Sequence, residues 1–114
     1  MASILISEVE RDVRRLLTTL VERQGHEAVV LERGGAVPAR ADALLVDPVS
    51  TMSAEHVRLV RALFPDLPVV CMGPLPFELG LIGRGPVSFL PKPFAPEALE
   101  AALARTLEVC ASPI

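Results

Sequence analysis

The stretch Ala43-Leu44-Leu45-Val46-Asp47 constrains the fold of this chain more than any other. The run is apolar throughout, showing neither the 3.6-residue period of a surface helix nor the alternation of a half-exposed strand, and a carboxylate closes it. Such a run suits a strand covered on both faces, as in a parallel sheet wrapped by helices. An unpaired charge is too costly to bury. Asp47 is therefore expected at the strand's carboxyl edge, where open α/β sheets place their sites.

The rest of the chain repeats the pattern. Ile4-Leu5-Ile6 reads as a first buried strand, Glu27 to Leu31 as a second, Pro68 to Met72 as a fourth and Val87 to Leu90 as a fifth. Between the first two, Val13, Leu16, Leu17, Leu20 and Val21 recur at helical spacing over about Glu10 to Gln24, and Gly25 terminates them. The segment Arg33 to Arg40 contains Gly34, Gly35 and Pro38, so it holds at most a turn of helix. A third helix is expected to start at Ser53 as N-cap, with Glu55 in its first turn and Val57, Val60, Leu63 and Phe64 as its buried stripe. The Gly- and Pro-rich stretch Gly73 to Gly85 leaves room for little helix beyond Phe77 to Ile82. The last helix opens at Pro96 and buries Leu99, Ala102, Leu103 and Leu107. Strands alternating with helices argue for a parallel sheet with right-handed crossovers. The expected fold is α/β: a flavodoxin-like, doubly wound, five-stranded sheet in order 2-1-3-4-5, with the second and fourth helices shortened. One domain spans 1–110, followed by a tail over 111–114.

Composition excludes several classes. A net charge of −3 gives no electrostatic reason to bind nucleic acid or an acidic membrane surface. No apolar run approaches the roughly 18 residues that span a bilayer, and the N-terminus lacks a signal pattern, so the expected location is cytoplasmic. Cys71 and Cys110 have neither metal-ligand nor redox spacing and read as reduced thiols. His26 and His56 accompany no Cys or carboxylate at ligand spacing and are read as surface residues. Arg11, Arg14 and Arg15 are interspersed with acids and read as a solvated face. No Ser/His/Asp arrangement or dinucleotide fingerprint occurs. Phosphohydrolases that use an Asp nucleophile resemble a pattern with a second Asp two residues on, where this chain has Val49. An independent enzyme is not expected.

Strands one, three and five end in Glu8, Asp47 and Lys92, the only lysine among 11 basic residues. In a parallel sheet these ends share an edge, so the three groups can meet in one crevice. Two carboxylates can hold a hard cation, and an ammonium can neutralise a phosphoryl group or pair with the Asp.

In this order, Ile4-Leu5-Ile6 with following acids, Leu44-Leu45-Val46-Asp47 and Phe89-Leu90-Pro91-Lys92-Pro93-Phe94 resemble the receiver domain of two-component response regulators. The resemblance covers nearly the whole chain. It implies that Asp47 is the phosphoacceptor of a phosphorelay and that Lys92 contacts the attached phosphoryl group. It also implies Mg²⁺ held by Glu8, Asp47 and the backbone carbonyl of Val49, a cis bond before Pro93, and Phe89 as an aromatic that swings on activation. The implied partners are proteins, either a histidine kinase or a downstream effector, and a homodimer is a further option.

The chain departs from that pattern at defined places. Val9 stands where the family has a second acid, typically the direct metal ligand, so the Mg²⁺ site is expected to be weak or absent. Gly73 stands at the switch position, where the family has Ser or Thr, and Pro48 follows the acceptor. Two readings follow. In one, Asp47 and Lys92 form a permanent ion pair that fixes one shape, and the domain signals by protein–protein contact independently of phosphorylation. In the other, Asp47 still accepts a phosphoryl group with Mg²⁺.

Overall fold

The computed structural model describes residues 1–47, 50–72 and 86–111. Its strands are β1 (Ser3–Ser7), β2 (Glu27–Val30), β3 (Ala43–Val46), β4 (Val69–Met72) and β5 (Val87–Leu90). The helices are α1 (Arg11–Arg23), α2 (Thr51–Leu63) and α3 (Pro96–Ala111). All strand pairs are parallel, and the sheet order is β2-β1-β3-β4-β5, as expected. The expectations for Pro48, Val49, Gly73, a short helix over Phe77 to Ile82 and the end of the tail lie outside the described residues. Among the described residues no helix is long and apolar enough to cross a membrane.

The continuous apolar runs follow from covering the sheet on both sides. Ile4, Ile6, Leu45, Val70 and Met72 pack with Leu17, Leu20 and Val21 of α1 and with Leu99 and Leu103 of α3. Their strand neighbours Leu5, Leu44, Val46, Val69 and Cys71 turn the other way, onto Val57 and Val60 of α2. Successive strand side chains point to opposite faces, so each residue of β1, β3 and β4 is buried whichever way it points. Each fully buried aliphatic side chain contributes about 1.5–3 kcal/mol. Burial also pushes the Cys71 thiol up to about 12, against the opposing charge of Arg61, which makes it a core side chain with no thiolate at neutral pH.

Helix boundaries show where local chemistry overrode the pattern. α2 is capped by Ser50, whose hydroxyl accepts from the Ser53 backbone N–H at 3.0 Å, so the cap lies three residues before the expected one. Glu55 consequently lies beyond the first turn, which holds no acid. Ser53 is released from capping and points inward, fully buried. The inner face of α2 is then Ser53, His56, Val57 and Val60, and Leu63, expected inside, is 57% exposed. In α1 the buried face is Leu17, Leu20 and Val21, and Leu16 falls on its flank, 41% exposed. Gly25 ends α1 at φ +83°, a conformation that glycine adopts without steric cost.

The connection from β2 to β3 contains no helix, where a shortened one of at most a turn was expected. It is held by its backbone and by His56. The His56 Nε2–H donates to the Glu32 carbonyl at 3.0 Å. Its Nδ1 lies 2.6 Å from the Ser7 hydroxyl, which also bonds the Ser53 hydroxyl at 3.0 Å. His56 is therefore not the surface residue that its sequence context suggested; it is 3% exposed. The missed signal was its spacing from Ser53 and Val60, which puts all three on one helix face. His26, half-buried, accepts from the Ala2 backbone N–H at 3.0 Å.

Candidate functional site

The site is built at the carboxyl edge of the sheet, at the point where strand order reverses around β1. Ser7 of β1 pairs with Val46 of β3, so the next residues of each strand, Glu8 and Asp47, leave the sheet side by side. The Asp47 backbone N–H donates to the Ser7 carbonyl at 3.1 Å, which continues the ladder one step and fixes where the carboxylate starts. β5 is separated from β3 by β4, yet the Leu90-Pro91-Lys92 turn leads the lysine stem back across the edge. The Lys92–Pro93 bond is cis, as the resemblance implied.

Lys92 Nζ donates to Glu8 Oε1 at 2.5 Å and to Asp47 Oδ2 at 2.6 Å. One ammonium thus bridges two carboxylates. Glu8 is buried, at 1% exposure, and its second oxygen accepts from the Glu10 backbone N–H at 3.1 Å. Asp47 and Lys92 are less enclosed, at 14% and 24%. Arg14 donates to the Glu8 backbone carbonyl at 3.2 Å and ties α1 to the same edge. Beside the bridge, a cavity of about 370 Å³ is lined by Val13, Leu16, Lys92, Pro93 and Phe94. Phe89, on edge strand β5, is 42% exposed.

The structure therefore brings Glu8, Asp47 and Lys92 together, which strand-end reasoning anticipated. It adds that Lys92 takes both acids and not Asp47 alone. The donor set does not suit Mg²⁺. An ammonium occupies the point that the two carboxylate oxygens face. Val9, in the second-acid position, is apolar and 49% exposed. Among the described residues no group of three or more His, Cys, Asp or Glu side chains is arranged to hold a metal ion. Mg²⁺ prefers octahedral oxygen coordination and binds proteins through few carboxylates, so losing one matters.

Burial works to lower the pKa of Lys92, but hydrogen bonds to Asp47 and Glu8, with the charges of both, outweigh it and hold the ammonium above its ordinary value. A raised folded-state pKa contributes stability that is fully present below the unfolded value of 10.5 and is lost as pH rises through the higher folded value. Accordingly, the stability difference between the parent and a Lys92→Met variant is expected to stay constant from pH 7 to about 9 and to shrink only in strong alkali. Denaturant titrations of both proteins across that range check this. A difference that shrinks below about pH 9 contradicts it.

Neither a protein-family profile nor a curated protein sequence matches the chain. Solved structures do. NtrX from Brucella abortus superposes with a TM-score of 0.78 at 25% identity, over 96% of this chain and 28% of that one. The chain thus spans less than a third of NtrX. A two-component response regulator from Clostridium difficile matches with a TM-score of 0.74 at 18% identity, over 98% of this chain and all of that one. The chemotaxis protein CheY4 of Vibrio cholerae matches with a TM-score of 0.70 at 23% identity, over 94% and 99% of the two chains. The doubly wound sheet is common to many functions, but the reversal at β1 with an acid, an acid and a lysine closing strands one, three and five is a narrower pattern. Taken with these likenesses, it gives the chain the fold and strand-end pattern seen in response-regulator receiver domains.

Proposed function

We propose that this receiver domain signals by protein–protein contact in one fixed shape, and that Asp47 serves as half of a permanent ion pair instead of as a working phosphoacceptor. The observation that carries the reading is the position of Lys92 Nζ, within 2.6 Å of both Glu8 and Asp47. Phosphoryl transfer to a carboxylate depends on positioning and on cations that neutralise the moving oxygens. Here the ammonium is already committed to two acids, and the donor set that would add a metal is short of a ligand. The proposed partner is a downstream effector protein.

Incubation with a small phosphodonor and Mg²⁺ tests this directly by intact-protein mass spectrometry. The expected result is no added phosphoryl mass at high donor concentration. An added mass that disappears in Asp47→Asn would overturn the proposal and establish the Mg²⁺-dependent phosphoacceptor reading in its place.

A further inference from the structure

We propose that the flank of α2 beside the helix-free connection is a docking face for a second copy of this chain, which seats the same flank of its own α2 there about a two-fold axis. This face stands apart from the Lys92 bridge. A crossover between parallel strands usually carries a helix. Leu31, Val37 and Ala41 of the connection pack on the same side of the sheet as Val57 and Val60, so a helix leading from β2 to β3 would lie beside α2. The connection has none, and the side of α2 turned toward it is apolar. At 3.6 residues per turn, Met52, Leu59 and Leu63 share one flank of the buried face Ser53, His56, Val57 and Val60, whereas Arg58 and Arg61 fall on the other. A cavity of about 230 Å³ is lined by Met52, His56 and Leu59 on the helix and by Arg33, Gly34 and Gly35 on the connection. Leu59 is 40% exposed and Leu63 57%. An apolar flank left open beside such a cavity marks an interaction surface.

Spacing selects the occupant. The flank runs Met52, His56, Leu59, Leu63, and its steps of four, three and four read the same in either direction. Two such helices packed antiparallel, with the axis passing between Val57 and Arg58, set Met52 against Leu63 of the second copy at each end. The two Leu59 side chains then lie beside the axis, each opposite the place of the other copy's buried His56. That is the self-complementarity an isologous contact requires. Charge agrees with it. The cavity carries Arg33 and Glu55, one of each sign, so the two-fold contact can set each Arg33 against Glu55 of the second copy and no single-sign patch meets itself. The stripe is about 16 Å long, and one helix pair of that length buries less than the roughly 1,200 Å² of a standard stable interface. The expected dimer is weak and reversible.

Sedimentation equilibrium of the full chain from micromolar to millimolar concentration tests this. The average mass is expected to climb from the 12.2 kDa of one chain toward twice that value. Leu59→Glu and Leu63→Glu, both at partly exposed positions, are each expected to hold the mass at one chain throughout, with an unchanged circular dichroism spectrum. Phe89→Glu, on β5 at the far edge of the sheet, is expected to dimerise like the parent. A parent that stays monomeric at millimolar concentration overturns the proposal, even where the flank proves to bind a helix of another protein. So does a dimer that persists undiminished in either folded α2 variant, or one that Phe89→Glu abolishes. Amide chemical shifts of the parent, compared between dilute and concentrated samples, decide without any variant. Changes centred on residues 33–35 and 52–63 support the proposal, and changes centred on β5 and α3 overturn it.

Discussion

Replacing Lys92 with alanine is expected to lower the unfolding free energy by about 3 kcal/mol in the absence of divalent cations. The bridge joins β5 to the ends of β1 and β3, and the loss is not that of a surface ion pair, where about 0–1 kcal/mol is usual. Glu8 is almost fully enclosed, and its Oε1 lies no more than about 5 Å from Asp47 Oδ2, since both contact one nitrogen. Removing the ammonium leaves two like charges facing each other, one without access to water. Breaking a buried pair in this way costs about 3–5 kcal/mol, and the 24% exposure of Lys92 places this bridge at the low end. Urea titration measures the effect. The double variant Glu8→Gln/Lys92→Met, which removes the stranded charge with its partner, is expected to recover at least half of the loss. A single variant as stable as the parent would mean that the bridge contributes nothing to the fold.

The second large effect is expected at a residue that appears inert in sequence. His56→Leu should destabilise by about 2–3 kcal/mol, although leucine fills much of the imidazole volume. The ring donates to the Glu32 carbonyl through Nε2 and bonds the Ser7 hydroxyl through Nδ1. Ser7 and Ser53 are both fully buried, so the substitution strands hydroxyl groups where no water reaches them. Replacing Ser7 as well, in Ser7→Ala/His56→Leu, removes one stranded group and should restore about 1 kcal/mol. The non-additivity of the two changes in a double-mutant cycle is the readout. Strict additivity would show that the contact between Ser7 and His56 carries no coupling.

These two sites also show how much the sequence disclosed. The sheet order, the three strand-end charges and the lack of more than a turn of helix between β2 and β3 were legible because each rests on a local rule. Unbroken apolar runs mean strands covered on both sides, and glycine with proline leaves room for no more than a turn. The cis bond before Pro93 came from the resemblance alone. The bridge to Glu8 was less accessible, since nothing in a linear pattern says how far a lysine stem reaches past an intervening strand. The face of α2 was misjudged for a similar reason. Two serines three residues apart compete for one cap, and hydropathy cannot choose between them. When Ser50 took that role, Ser53 and His56 turned inward with partners for their polar atoms, and Leu63 was left outside. Leu16 shows the smaller version of the same limit: helical spacing defines a stripe, but not where the edge of that stripe meets solvent.

The central claim is that a lysine, and not a metal ion, lies between Glu8 and Asp47 in the working form of this protein. A crystal structure determined from a solution containing Mg²⁺ and a phosphoryl-mimicking fluoride complex addresses it most directly. The account predicts Lys92 Nζ within hydrogen-bond distance of both carboxylates, with no ion between them. A Mg²⁺ ion bound to Asp47, with the fluoride complex on its carboxylate and Lys92 displaced from Glu8, would contradict it.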